Sequence, residues 1–187
     1  MGLDMYLEAS RFVTREEREA TTLSIDGEEI EVVSNRGDDH VWREIGDLTE
    51  LRFDAGYWRK ANAIHRWFVD HVQDGNDDCG TYYVSREKLE ELLRTVNAVL
   101  NASELVDGKR FAGKAFEGDE LVTQFEDGKT IADPTMAEQL LPSQDGFFFG
   151  SVEYDQWYYD DLELTKSILE KALKAPGNLE FYYRSSW

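Results

Sequence analysis

Cysteine and proline are scarce in this chain, which has one cysteine, Cys79, and three prolines among 187 residues. A single cysteine excludes an internal disulfide framework and suits a reducing compartment, so we expect the protein in the cytoplasm. No apolar run approaches the roughly 20 residues that a membrane-spanning helix needs. Residues 1–12 also lack the charged-then-apolar order of a secretion signal. We therefore expect neither a membrane span nor a leader.

Positive charge is the other scarce property, because 20 Lys and Arg stand against 39 Asp and Glu, for a net charge of −19. Such a chain repels nucleic acid backbones and anionic membranes, so neither is expected as a direct partner. Four explanations of the acidity stay open: solubility, a salt-adapted source, an acidic surface that docks on a basic protein, and mimicry of DNA. Whether this surface closes into a homo-oligomer also stays open.

The composition is that of a folded protein, with 41% hydrophobic and 13% aromatic residues. We predict one α+β domain, residues 1–187, with an antiparallel or mixed sheet and three principal helices. Alternation predicts strands at 3–13 and 48–53. Asp26-Gly27 between two β-branched runs predicts a hairpin at 22–33, followed by a loop at 35–39. Asp-Gly pairs at 107 and 127 suggest hairpins, or an inserted hairpin lobe at about 103–142.

Three segments have helical patterns. Residues 57–72 are predicted to form the first helix, with Asp54 as its N-cap and Gly75 at its end. Ser85 caps the second, whose apolar stripe is assigned to the core. The third covers 155–175, with Leu164 among its inward residues. Glycines around three phenylalanines at 146–150 predict a short buried strand with Phe148 inside, and 179–183 reads as the last strand.

The first helix contains an unusual island of basic and aromatic residues, YWRKANAIHRWFVDHV, at 57–72. At 100° per residue, Asn62 and His65 lie one turn apart on the same side. Two interpretations stay open. In one, both are hydrogen-bonded polar groups at the edge of the core. In the other, they face a cleft with Arg59 or Lys60 near its mouth, where they can bind an anionic or planar ligand.

Four segments, one of which includes this island, carry a resemblance: MGLDMYL, YWRKANAIHRWFVDHVQ with DDCG, LLPSQDGFFFGSVEYDQWYYDD and FYYRSSW. Together they resemble a family of small accessory proteins of bacteriophages and prophages. The resemblance implies a protein that acts inside an infected bacterium, against host enzymes or defence systems. It brings no assigned activity and no catalytic or ligand-binding residues.

The first functional hypothesis is a phage accessory protein that binds a small anionic, nucleotide-like ligand in an anti-defence role. Aromatic rings stack on bases, and cations or amides bind phosphates. The candidate ligand-binding residues are Tyr57, Trp58, Arg59, Lys60, Asn62, His65, Ser151, Tyr154, Arg184 and Trp187. The first alternative is an acidic inhibitor of a basic host protein, in the extreme a DNA mimic.

A small hydrolase is the second alternative, with His65 as general acid or base and Glu153 or Asp155 orienting it. No catalytic residue is assigned, because such pairs can be drawn in most sequences. No cofactor and no metal are predicted. Asp74, Asn76 and Asp78 begin like a calcium loop that then loses its glycine and its glutamate, and a divalent-ion site at Asp77 and Asp78 stays a weak option.

Overall fold

The structure, a computed structural model, describes residues 2–14, 22–25, 28–31 and 49–187, and of residues 22–25, 28–31, 117 and 121 the backbone alone. Its elements in chain order are β1 (Asp4–Phe12), β2 (Thr22–Ile25), β3 (Glu28–Glu31), β4 (Glu50–Arg59), α1 (Asn62–His71), β5 (Thr81–Val84), α2 (Arg86–Ala102), β6 (Leu105–Glu117), β7 (Glu120–Ile131), α3 (Thr135–Leu140), α4 (Gln156–Lys174) and β8 (Glu180–Ser186). Helices α1, α2 and α4 have 10, 17 and 19 residues. The predicted α+β class with three principal helices is confirmed. None of the described helices has the length and apolar content needed to span a bilayer.

The chain divides into two compact units, Met1–Ala9 with Asp54–Trp187, and Ser10–Phe53. The second unit contains the predicted hairpin, in which β2 and β3 pair antiparallel with Leu23 opposite Ile30 and Ile25 opposite Glu28. The predicted turn at 26–27 and the predicted loop at 35–39 lie outside the described residues.

A four-stranded sheet has the order β4-β1-β8-β5. The first half of β1 alternates as predicted, since Met5 and Leu7 are fully buried while Asp4 and Tyr6 are not. Strands β5 and β8 pair antiparallel over four residues. The sequence patterns do not predict β5, because this strand has only four residues and follows a run of turn residues.

Strands β6 and β7 form a separate two-stranded sheet, with a register shift between Phe111 and Gly113. The Asp-Gly pairs do not make its turn. Gly108 and Gly128 are instead paired across the two strands, far from the connection at 118–119. The base of this hairpin is held by the amide of Ile131, which donates to the carbonyl of Tyr154 at 2.9 Å.

The second and third principal helices follow the sequence closely. Ser85 caps α2 by accepting a hydrogen bond from the amide of Lys88 at 3.3 Å. The apolar stripe of α2 is buried at 89, 92, 96, 99 and 100. Helix α4 begins after Asp155, as predicted, but Leu164 is 43% exposed. The inward positions are Leu162, Thr165, Ile168, Leu169 and Ala172, because they follow the three- and four-residue spacing of one helix face.

Two predictions are wrong, the start of the first helix and the strand at 146–150. Strand β4 continues through Arg59, so the first helix begins at Asn62, and Asp54 lies inside a strand instead of capping the helix. The break is made at Lys60, whose φ of 61° turns the chain out of the strand. Residues 146–150 form turns instead of a strand. Phe149 is the buried phenylalanine there, while Phe148 is half-buried and Phe147 is 90% exposed.

Candidate functional site

The ten predicted ligand-binding residues do not share one surface. Tyr57, Trp58 and Arg59 lie on β4 and so point alternately to its two faces. Trp58 is fully buried, and its indole nitrogen donates to the hydroxyl of Thr165 at 2.9 Å. The prediction that Trp58 binds ligand is therefore wrong, because a strand alternates where a helix was expected.

On the outer face of β4, Tyr57 and Arg59 both contact Asp4 of β1. The Tyr57 hydroxyl donates to the Asp4 carboxylate, and this bond is the main reason that the pKa of Tyr57 is raised. Arg59 lies 3.3 Å from the same carboxylate oxygen. Tyr57 is partly exposed, and its ring also contacts Tyr6, with a centroid distance of 5.3 Å.

His65 is enclosed in the core. Its exposed fraction is 0%, and its Nδ1 lies 2.7 Å from the Tyr183 hydroxyl. Its Nε2 lies 3.1 Å from Asp77, a carboxylate that also accepts a hydrogen bond from the Trp187 indole at 3.0 Å. Burial raises the pKa of Tyr183 well above its ordinary value. His65 thus neither lines a cleft nor pairs with Glu153 or Asp155, which corrects the ligand and hydrolase hypotheses at this residue.

Asn62 is a clamp between α1 and the loop that precedes α4. Its side-chain nitrogen donates to the carbonyls of Phe149 at 3.0 Å and Ser151 at 2.6 Å, and its oxygen accepts from the amide of Gln144 at 2.9 Å. The residue is only 5% exposed. The first interpretation of the sequence, a hydrogen-bonded polar group at the core edge, describes Asn62 and also His65.

Three other predicted residues also have structural partners. Arg184 lies 2.7 Å from Glu8 and covers the ring of Tyr6 at 3.9 Å. The Tyr154 carbonyl accepts from the β7 end, and its hydroxyl accepts from the Ser143 amide at 3.3 Å. Trp187 is 45% exposed, but its polar atom is bound to Asp77.

A cleft nevertheless adjoins the start of α1. It has a volume of about 340 Å³, within the range of sites for small molecules. Its lining combines the residues before and at the start of α1, the loop before α4, the first turns of α4, and one strand residue of the hairpin. These residues are Arg59, Lys60, Ala61, Asn62, Ala63, Ile64, Phe111, Gly150, Ser151, Glu153, Asp155, Trp157, Tyr158, Asp160 and Asp161.

One part of the lining can bind an anion. Helix α1 has no side-chain cap and no acidic residue in its first turn. Among the described residues, the amides of Ala63 and Ile64 donate to no acceptor, and Lys60 forms no ion pair. Free amides at a helix start attract negative charge. Four predicted residues, Arg59, Lys60, Asn62 and Ser151, line the cleft.

The lining also contains four acidic residues, Glu153, Asp155, Asp160 and Asp161, and the sequence patterns do not predict this acidic part. Asp155 is occupied as the α4 cap, since one oxygen accepts from Trp157 at 2.9 Å and the other from the Phe111 amide at 2.7 Å. Asp161 has a pKa raised to about 7, mainly by burial and then by the charges of Asp160 and Asp155. Asp160 accepts a hydrogen bond from Gln156 at 2.6 Å.

Aromatic rings complete the cleft. Trp157 is 46% exposed, but its indole nitrogen donates to the carbonyl of Phe111 at 3.1 Å, and the guanidinium of Arg110 lies 4.8 Å from its ring centre. The ring is therefore held in position while much of its surface faces solvent. The sequence signal that could have placed Trp157 here is Asp155, because an N-cap puts the next residues in the first helical turn.

Among the described residues, no three histidine, cysteine, aspartate or glutamate side chains are grouped in a way that could hold a metal ion. Asp77 binds His65 and Trp187, as described above. Asp78 accepts from the amide of Gly80 at 2.9 Å and from Tyr82, and the first of these bonds is the main cause of its lowered pKa.

No protein-family model matches the chain, and comparisons with curated proteins and with solved structures find no match. The resemblance to phage accessory proteins therefore stays a prediction from four sequence segments.

Proposed function

We propose that the protein binds a small nucleotide-like ligand, carrying an anionic group, in the cleft at the start of α1. The observation that carries this proposal is that one cavity joins Lys60 and the uncapped start of α1 to the exposed ring of Trp157. A phosphate needs cations or amides, and a base needs an aromatic face. The cleft offers both within a volume that suits a mononucleotide better than a larger ligand.

The chemistry expected of this cleft is binding without turnover. Sequestration needs only that the ligand stay bound, and Asn62 fixes the loop that walls the cleft through three hydrogen bonds. The biological setting rests on the sequence resemblance alone. Under it, the protein would withdraw a nucleotide signal from a host defence system in the bacterial cytoplasm.

Thermal-shift and calorimetric titrations with nucleoside monophosphates and inorganic phosphate test the proposal. A ligand at 100 times its Kd adds about 2.7 kcal/mol, which for a chain of this size raises Tm by roughly 5 to 10 °C. We expect Lys60→Ala to weaken binding about tenfold or more, since a charge-assisted hydrogen bond is lost. Lys171→Ala is the matched control, because this exposed lysine of α4 lies outside the cleft. Equal affinities of the two variants, or no ligand response, would contradict the proposal.

The acidic inhibitor of a basic host protein remains the alternative proposal, supported by the net charge of −19. It predicts salt-sensitive capture of a basic partner that is indifferent to Lys60→Ala, because screening weakens contacts between exposed charges.

A further inference from the structure

The cleft contains more carboxylates than the binding of an anion explains. Glu153, Asp160 and Asp161 line it together with Asp155. Only Asp155 is fully occupied by backbone donors, as the cap of α4. The other three form no ion pair with any described residue. A ligand with negative charge alone would meet repulsion along this part of the lining.

Among these carboxylates, Asp161 most clearly lacks a positive or hydrogen-bond-donating partner. Burial and the neighbouring carboxylates Asp160 and Asp155 raise its pKa to about 7. Its neighbours therefore add negative charge where a half-buried carboxyl needs a positive or hydrogen-bond-donating partner. A donor on the ligand can supply that partner.

Trp157 lies next to the acidic part of the lining, so a ligand ring stacked on Trp157 would lie close to those carboxylates. It lies between Asp155 and Asp160 on the first turns of α4, and the Phe111 carbonyl holds its indole. A base stacked on Trp157 would present its edge, and not its face, to carboxylates of the same helix end. A carboxylate accepts two parallel hydrogen bonds well when an N–H and an amino group lie side by side.

We propose that the cleft selects its ligand by the donors on the ring edge, so that a guanine-type base, with an N–H beside an amino group, is preferred over a base with a carbonyl in that place. This inference rests on the proposed function. In the bound state, the phosphate lies at the α1 start and Lys60, the ring lies on Trp157, and the donor edge faces Asp160 and Asp161.

Three nucleotides that differ at one ring position test the selection: GMP has an amino group there, IMP a hydrogen, and XMP a carbonyl. Calorimetry at one pH and salt concentration should give affinities in the order GMP, IMP, XMP. The affinity for GMP should exceed the affinity for XMP about 10- to 100-fold, because this is the usual contribution of a hydrogen bond to a charged group. Asp160→Asn and Asp161→Asn should each reduce this ratio, because an amide accepts and donates where a carboxylate only accepts. Glu163→Gln, an exposed α4 variant outside the cleft, should leave it unchanged.

The outcomes separate the two proposals. Equal binding of GMP, IMP and XMP that still depends on Lys60 would overturn the donor-edge selection and leave the nucleotide-binding proposal standing. Binding of none of the three, at concentrations that leave the protein folded, would overturn both. A GMP preference that survives both aspartate variants would place the selecting group elsewhere and would also overturn this inference.

Discussion

Two polar clusters adjoin α1, and both contain aspartate and tryptophan side chains. In the enclosed cluster, His65, Asp77, Tyr183 and Trp187 bind one another, and Asp77 accepts from two of them. In the cleft, Asp161 and Lys60 line a cavity and form no ion pair among the described residues. The comparison shows that residue type alone does not separate a scaffold from a candidate site. What separates the two is whether the polar atoms already have partners, since a polar group with all its hydrogen bonds made has little left to offer a ligand.

The largest effect is expected when the enclosed cluster is broken. His65→Ala removes a fully buried ring and leaves the Tyr183 hydroxyl and Asp77 without their partner. We expect a loss of about 3 to 5 kcal/mol in the free energy of unfolding, measured by urea denaturation. His71→Ala is the control, because His71 is exposed, and should cost about 1 kcal/mol or less. Similar losses for both would mean that the cluster around His65 does not stabilise the fold.

Asp161→Asn tests the cleft through an effect of the opposite sign, because this change should stabilise the protein. The pKa of Asp161 is raised from 3.8 to about 7, so the folded state binds its proton more tightly than the unfolded state does. Its contribution is therefore favourable below about pH 4 and is lost as the pH rises through 7. At pH 8 the variant should exceed the wild type by at most about 4 kcal/mol, and near pH 4 the two should agree. Unfolding experiments at both pH values check this, and a difference independent of pH would contradict it.

Asn62→Ala affects both regions, because Asn62 belongs to the scaffold and lines the cleft. Its loss leaves two carbonyls and one amide without their partner. We expect about 2 to 3 kcal/mol of destabilisation, together with faster amide hydrogen exchange in the loop at 144–151. Asn101→Ala, at an exposed position near the end of α2, should change neither quantity. An unchanged exchange rate in this loop would show that the clamp is not needed.

The smallest effect is expected at Lys60, where two substitutions separate the role of the side-chain charge from the role of the backbone conformation. With φ at 61°, Lys60 occupies a region that glycine enters without a steric cost. Lys60→Gly and Lys60→Ala both remove the cation and should weaken ligand binding equally. The glycine variant should nevertheless be more stable than the alanine variant by about 1 kcal/mol. The reverse order in a thermal or chemical melt would argue against strain at this position.

The sequence predicts much of the fold, because its signals are local. Ser85 caps α2 as expected, α4 follows Asp155 where the third helix was expected, and the apolar spacing of α2 places its buried face. Period-two alternation predicts β1 in the same way. The first helix was misplaced because strand β4 and helix α1 adjoin at Lys60, and Tyr57, Trp58 and Arg59 suit either element.

The sequence by itself determined the α+β class, the acidic character, the Ser85 cap and most of the regular elements. Only the tertiary structure decided which polar groups are enclosed and which face the cleft. His65 meets Tyr183 across 118 positions of the chain, and Asn62 meets Phe149 across 87. The cleft likewise brings Lys60, Phe111 and Asp161 to one cavity. Partners at such separations leave no periodic trace in the sequence, because the packing of distant elements selects them and local conformational preference does not.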